Sequence, residues 1–206
     1  IVKNTAENFA HVSLELGGKS PIIVFDDCDI DGAINGIIAG NFGASGQSCV
    51  AGSRVFIQKN IFNRVVSELK DRAKDIVIGD PLDKKTQIGP LATTIQVERA
   101  YNVITNSVKQ GAKLIFGGQS PKHLDEGWYF EPTLLTCPHQ NIDSVKTELF
   151  APVISAISFN TEDDAIQMAN DSKFGLGAGI FTENLARGHR VSEKIHSGIV
   201  WINTYR

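Results

Sequence analysis

The sequence predicts an α/β fold, an open and mostly parallel twisted sheet with helices on both faces. Two observations carry that prediction. Short β-branched runs alternate with stretches in which apolar residues recur every three or four positions, the signatures of buried strands and amphipathic helices. Strand and helix also follow one another in turn, which favours crossover units with parallel pairing. Size agrees: 206 residues with a 42% hydrophobic and 21% charged composition suffice to bury a proper core.

Taken in order, Val12, Leu14 and Leu16 alternate with Ser13 and Glu15, which reads as a strand with one polar face. Pro21 to Phe25 is an apolar run of strand length, and Ile30, Ile34, Ile37 and Ile38 mark one face of a helix. Arg54 to Gln58 is the next strand. Asn60 to Ile76 follows as a helix, with Ile61, Val65, Leu69 and Ala73 aligned. A second long helix is expected from Thr94 to Lys109, with Val97, Tyr101, Ile104 and Val108 in register. Gly111 stands where a helix end favours positive φ. Lys113 to Gly118 reads as a strand entering a glycine turn, and the Gly-, Pro- and aromatic-rich stretch from Gly117 to Gln140 as a long surface excursion. Pro152 to Phe159 is a clear strand, and Thr161 with Asp164 resembles a helix-start capping pair. Ala178 to Phe181, a helix near Glu183 to His196, and Gly198 to Asn203 complete the pattern.

Several classes of function are disfavoured. The net charge is −3 and the basic residues are scattered, so there is no footprint for nucleic acid. No apolar run approaches the roughly 20 residues of a membrane span, and the first residues carry no signal-peptide pattern. Three widely separated cysteines, Cys28, Cys49 and Cys137, are not a disulfide framework and point to a reducing compartment, hence a cytoplasmic location. The chain opens on Ile1 and stops at Arg206 directly after a strand; the expectation is a segment of a longer protein.

The chemistry concentrates in few places. Cys49 ends the glycine-rich run Gly43-Ala-Ser-Gly46-Gln-Ser48, where backbone can turn sharply and approach a ligand. A helix starting near Cys49 would lower its thiol pKa and supply N–H groups to a developing oxyanion; a small buried thiol is the alternative. Glu15 precedes Gly17-Gly18 and reads either as a solvated strand face or as a carboxylate at the strand end where α/β sheets bind ligands. Gly175, Gly177 and Gly179 run into a strand instead of opening a helix, so close packing accounts for them better than a phosphate cradle. The five histidines show no metal spacing, and no metal site is expected. No G-x-S-x-G is present.

Three separated segments, Leu14 to Pro21 (LELGGKSP), Gly46 to Cys49 (GQSC) and Glu148 to Val153 (ELFAPV), together resemble the signatures of NAD(P)-dependent aldehyde dehydrogenases. The order matches, as does the 34-residue separation of Glu15 from Cys49. Ile78 to Pro90 and the terminal GIVWIN also resemble that family, so the likeness spans the whole chain as a catalytic domain, residues 1–206. The resemblance implies that Cys49 attacks an aldehyde carbon, that hydride passes to NAD or NADP, and that Glu15 activates the water that hydrolyses the resulting thioester. Glu148 and Phe150 are implied to hold the nicotinamide ribose, and Leu16 and Gly17 to line the nicotinamide through backbone. The backbone N–H of Cys49 is implied as one oxyanion donor. A small-molecule aldehyde is the implied partner, with a homodimeric or homotetrameric parent.

Ala44 departs from the family's frequent asparagine five residues before the nucleophile. The family's cofactor-binding domain, which supplies the second oxyanion donor, and its C-terminal segment have no counterpart in these residues. The expectation is therefore that this stretch alone does not turn over as a dehydrogenase. Two rivals are a cysteine hydrolase, which needs a histidine near Cys49, and a non-catalytic relative that keeps only the fold.

Overall fold

The computed structural model describes all 206 residues. After a single helical turn, α1 (Val2–Thr5), the chain runs without regular structure to β1 (Pro21–Val24). It continues through α2 (Ile30–Phe42), β2 (Arg54–Gln58), α3 (Phe62–Ala73), α4 (Thr94–Lys109), β3 (Lys113–Phe116) and β4 (Thr133–Thr136). Then follow α5 (Asp143–Lys146), β5 (Val153–Phe159), α6 (Glu162–Asn170), β6 (Gly177–Phe181), α7 (Leu185–Ser192) and β7 (Ile199–Ile202).

The seven strands form one sheet in the order β3-β4-β5-β2-β1-β6-β7. All neighbours pair in parallel except β3 with β4. Period-two alternation divides the central strands between two cores. Ile22, Val24, Val55, Ile57, Ile154 and Ala156 face α2 and α3, packing with Ile34, Ile37, Val65 and Leu69. Ile23, Phe25, Phe56, Ile157 and Phe159 face the other way, onto residues of α4, α6 and α7. A sheet covered on both faces favours apolar residues at successive strand positions, which explains the unbroken PIIV run and the largely apolar VISAISF, interrupted only by Ser155 and Ser158. Helix starts follow their local chemistry: Asp29 caps α2 at 3.1 Å from the Asp31 N–H, and Thr93 with Gln96 and Thr161 with Asp164 close reciprocal capping boxes.

Two expectations need correction. The Gly117–Gln140 stretch contains β4, whose Thr133–Leu135 are buried between β3 and β5; proline at 132 and the short run hide it in the sequence. Residues 12–16 are exposed and form no strand; alternation without a pairing partner does not make one. Helix α5 lies where no periodicity of its own marks it. Elsewhere α3 is shorter than expected, because Lys59–Ile61 form a 3₁₀ turn, and α7 ends at Ser192. No helix is long and apolar enough to cross a membrane.

Candidate active site

The singled-out residues converge on one edge of the sheet. Gly18 leads into β1, Cys49 into β2, Glu148 and Phe150 into β5, and Gly175 into β6. These four strands are adjacent and parallel, so their entry loops share the N-terminal edge. One of the two readings of Glu15 put it at a carboxyl strand end, where open α/β sheets bind ligands. The structure places its segment on the opposite edge.

The Cys49 loop is strained and clamped. Where α2 ends, Ala44 (φ 52), Ser45 (φ 56) and Gly46 (φ 72) take consecutive left-handed conformations. For the two non-glycine residues this costs on the order of 1–2 kcal/mol each. Specific bonds offset it: Ser45 Oγ donates to Gly89 O at 2.8 Å, and Gln47 Oε1 accepts from the Ala92 N–H at 2.9 Å. Gly46 presses on Ala151, whose carbonyl oxygen lies 2.3 Å from where a Cβ would stand. No helix begins at Cys49, contrary to one expectation. The cysteine instead occupies a turn closed by the Ala51 N–H on Ser48 O at 3.0 Å, and its own N–H makes no backbone hydrogen bond. Buried Tyr205 anchors the turn through Val50 O at 2.7 Å.

Gly18 joins the parts. Its N–H donates to Glu148 Oε1 at 2.7 Å, and a Cβ on it would stand 2.0 Å from the Cys49 carbonyl oxygen. Gly17 approaches Glu148 as closely, with a Cβ position 2.7 Å from Oε2. Glycine is required at position 18 because backbone occupies the side-chain space, whereas at Gly17 the carboxylate tip of Glu148 would have to shift. Glu148 and Phe150 line an open cleft of about 1050 Å³ together with Gln96, Arg99, Lys173 and Phe174. Phe150 itself is left-handed (φ 53), and its carbonyl accepts from Gln96 Nε2 at 3.5 Å. Leu16 and Glu15 are exposed and do not line that cleft. The structure thus brings together Gly17, Glu148, Phe150 and the Cys49 loop, while the Glu15 side chain stands free of them.

Cys49 is half-buried, whereas Cys28 and Cys137 are buried. Burial, reinforced by neighbouring Asp27, pushes the Cys28 thiol up to about 11, and burial likewise raises Cys137. Thiolate character governs thiol reactivity, so alkylation at neutral pH is expected to mark Cys49 first. KFGLGAGIF proves to be a packing device: a Cβ on Gly179 would meet the Tyr205 ring at 2.5 Å.

Two buried cations escaped the sequence reading. Arg54 is 2% exposed and ties the segment before β1 to the end of α6. Its Nε donates to Lys19 O at 2.7 Å, and its two amino groups donate to Met168 O at 3.1 Å and Ala169 O at 2.8 Å. A guanidinium suits the carbonyl-rich C-terminus of a helix. A charge opening an otherwise apolar strand, SRVFIQ, was the available signal. Lys19 is equally buried, but a lysine after Gly-Gly reads as surface. Burial, then the Arg54 guanidinium, pushes its ammonium down to about 7. An unfolded lysine keeps its proton well above that pH, so folding becomes more favourable as pH rises past 7. Wild type is expected to gain about 1 kcal/mol over Lys19→Met between pH ~7 and ~8.5. Paired thermal or urea unfolding at the two pH values checks this; a constant gap contradicts it. Above pH ~9 the raised Cys28 thiol acts with the opposite sign.

Comparison with known proteins sets this geometry in context. The family described as "Aldehyde dehydrogenase family" matches residues 1–206. A (Z)-2-((N-methylformamido)methylene)-5-hydroxybutyrolactone dehydrogenase from Acinetobacter baylyi is 52% identical over all of this chain and 42% of its own length. A betaine aldehyde dehydrogenase from Brucella anthropi is 46% identical with the same coverage. Among solved structures, a Bacillus cereus aldehyde dehydrogenase variant superposes with a TM-score of 0.92 at 40% identity. A Staphylococcus aureus betaine aldehyde dehydrogenase in complex with NAD+ gives 0.93 at 37%. Each covers this whole chain, which spans 41% of either structure.

Proposed function

Since the chain belongs to the aldehyde dehydrogenase family, we propose that it forms the catalytic part of an enzyme that oxidises an aldehyde to a carboxylic acid with an NAD-type cofactor, from Cys49 as nucleophile and Glu15 as base. The observation that carries this reading is the convergence of Cys49, Gly18 and Glu148 on one strand edge. Three sequence-distant signatures meet there through a 2.7 Å hydrogen bond and a backbone contact that only glycine permits.

The cleft suits the nicotinamide riboside end of a dinucleotide. Glu148 offers a carboxylate, oriented by the Gly18 N–H, to ribose hydroxyls, and Phe150 offers an aromatic wall. Leu16 and Gly17 stand outside that cleft, and the family resemblance is what assigns their backbone to the ring. When bound, the cofactor supplies the hydride acceptor. Cys49 Sγ forms a bond to the aldehyde carbon, and the oxygen that gains negative charge is held by the Cys49 N–H, which makes no backbone hydrogen bond in this structure. Loss of hydride leaves a thioester on Sγ. Glu15, on the exposed stretch just before Gly18, takes a proton from water as the water oxygen attacks the thioester carbon. The acid departs and the thiolate is restored, with water consumed and one proton released.

The test is NADH or NADPH formation by the full-length protein over a panel of aldehydes that includes betaine aldehyde, named by relatives. Saturable formation with one or more aldehydes is expected, and none with any of them contradicts the reading. The 206 residues by themselves span only about two fifths of those relatives, and the cleft is open to solvent. They are expected to give no saturable turnover with either cofactor. A cytoplasmic homodimer or homotetramer is the assembly this reading favours.

A further inference from the structure

We propose that the void beneath the Cys49 loop is a binding site for one resident water molecule, held by the Asn41 amide and Lys19 Nζ. Asn41 lies in the last turn of α2 and is completely buried, yet neither its Nδ2 nor its Oδ1 has a hydrogen-bond partner in the protein. An orphaned buried amide is rare in native proteins. Lys19 is 2% exposed and takes part in none of the ion pairs. Both residues line the same void of about 10 Å³, with Ser48, Ser53 and Glu148 also on its walls. That is the room one water needs, and several polar partners are within its walls.

The ligand chemistry follows from the groups. Asn41 offers both an acceptor and a donor, so a molecule that both accepts and donates is required. The charge of nearby Arg54 disfavours a cation, and Glu148 disfavours an anion. Water meets all these conditions. The walls come from the Gly18–Lys19 approach to β1, the end of α2, the Gly46–Ala51 loop and the Glu148–Val153 approach to β5. One water would thus cross-link the segments that carry Cys49 and Glu148.

A crystal structure of the chain at a resolution that orders solvent tests this directly. The expected result is a water within about 3.2 Å of the Asn41 amide and of Lys19 Nζ. An empty void, or a protein group bonded to the amide, overturns the proposal. Thermal unfolding of Asn41→Leu gives an independent answer by its sign. Loss of a satisfied amide and its water is expected to lower Tm by about 2–8 °C, whereas an unchanged or raised Tm would mean that the amide was unbonded. Neither readout depends on enzymatic activity.

Discussion

Cys49→Ala is expected to lower aldehyde oxidation by the full-length protein at least ~10³-fold while leaving the fold intact. The expectation rests on how the structure treats the three thiols. Cys28 and Cys137 are buried in the two cores and held protonated by burial, so neither can substitute. Cys49 is half-buried on a turn whose N–H makes no backbone hydrogen bond. Alanine removes only Sγ there, because the turn is held by Tyr205 and by the Ala51 N–H. Steady-state kinetics with circular dichroism as the folding check decide the point. Retained activity in a folded variant would return the nucleophile to another group.

Gly18→Ala should be nearly as damaging without touching a reacting atom. Its Cβ would stand 2.0 Å from the Cys49 carbonyl oxygen. Backbone must then move on one side or the other, breaking either the Gly18–Glu148 bond or the seat of the Cys49 turn. Misplacement on that scale costs about 10²-fold in rate, and the overpacking costs roughly 1–3 kcal/mol in stability. Gly43→Ala is the matched control. It lies just before the same loop with φ −53, and nothing falls within 4 Å of an added Cβ. Wild-type kinetics and stability are expected there, and equal damage at both positions would show that the effect is not the contact with Cys49.

The strands and long helices were legible because a sheet covered on both faces favours apolar runs and amphipathic partners. Pro21 to Val24, Val55 to Ile57 and the helix of Ile34 and Ile37 satisfy both conditions. β4 was not legible, since four residues after a proline carry too little periodicity, and its strand state is fixed by neighbours distant in sequence. The site divides the same way. Cys49, Glu15 and Glu148 stand in motifs, so residue types at matching spacing point to them. Asn41 carries no local signature, and although Lys19, Arg54 and Gln96 stand in readable segments, their burial and contacts with distant segments are not recorded there. The capping pair Thr93 and Gln96 did carry a signature, but not the bond from Gln96 to Phe150 O. Of the two readings of Glu15, the ligand-binding strand end failed because it applied a rule about sheets in general to a carboxylate that lies on no strand.

The central claim is that Cys49 carries the acyl group and Glu15 releases it. The direct measurement is mass spectrometry of full-length Glu15→Gln, quenched after mixing with NAD+ and an aldehyde that the wild type oxidises. The account predicts an acyl adduct confined to the peptide containing Cys49, persisting while turnover is strongly reduced. Wild-type turnover without an adduct, or an acyl group on Cys28 or Cys137 instead, would contradict it.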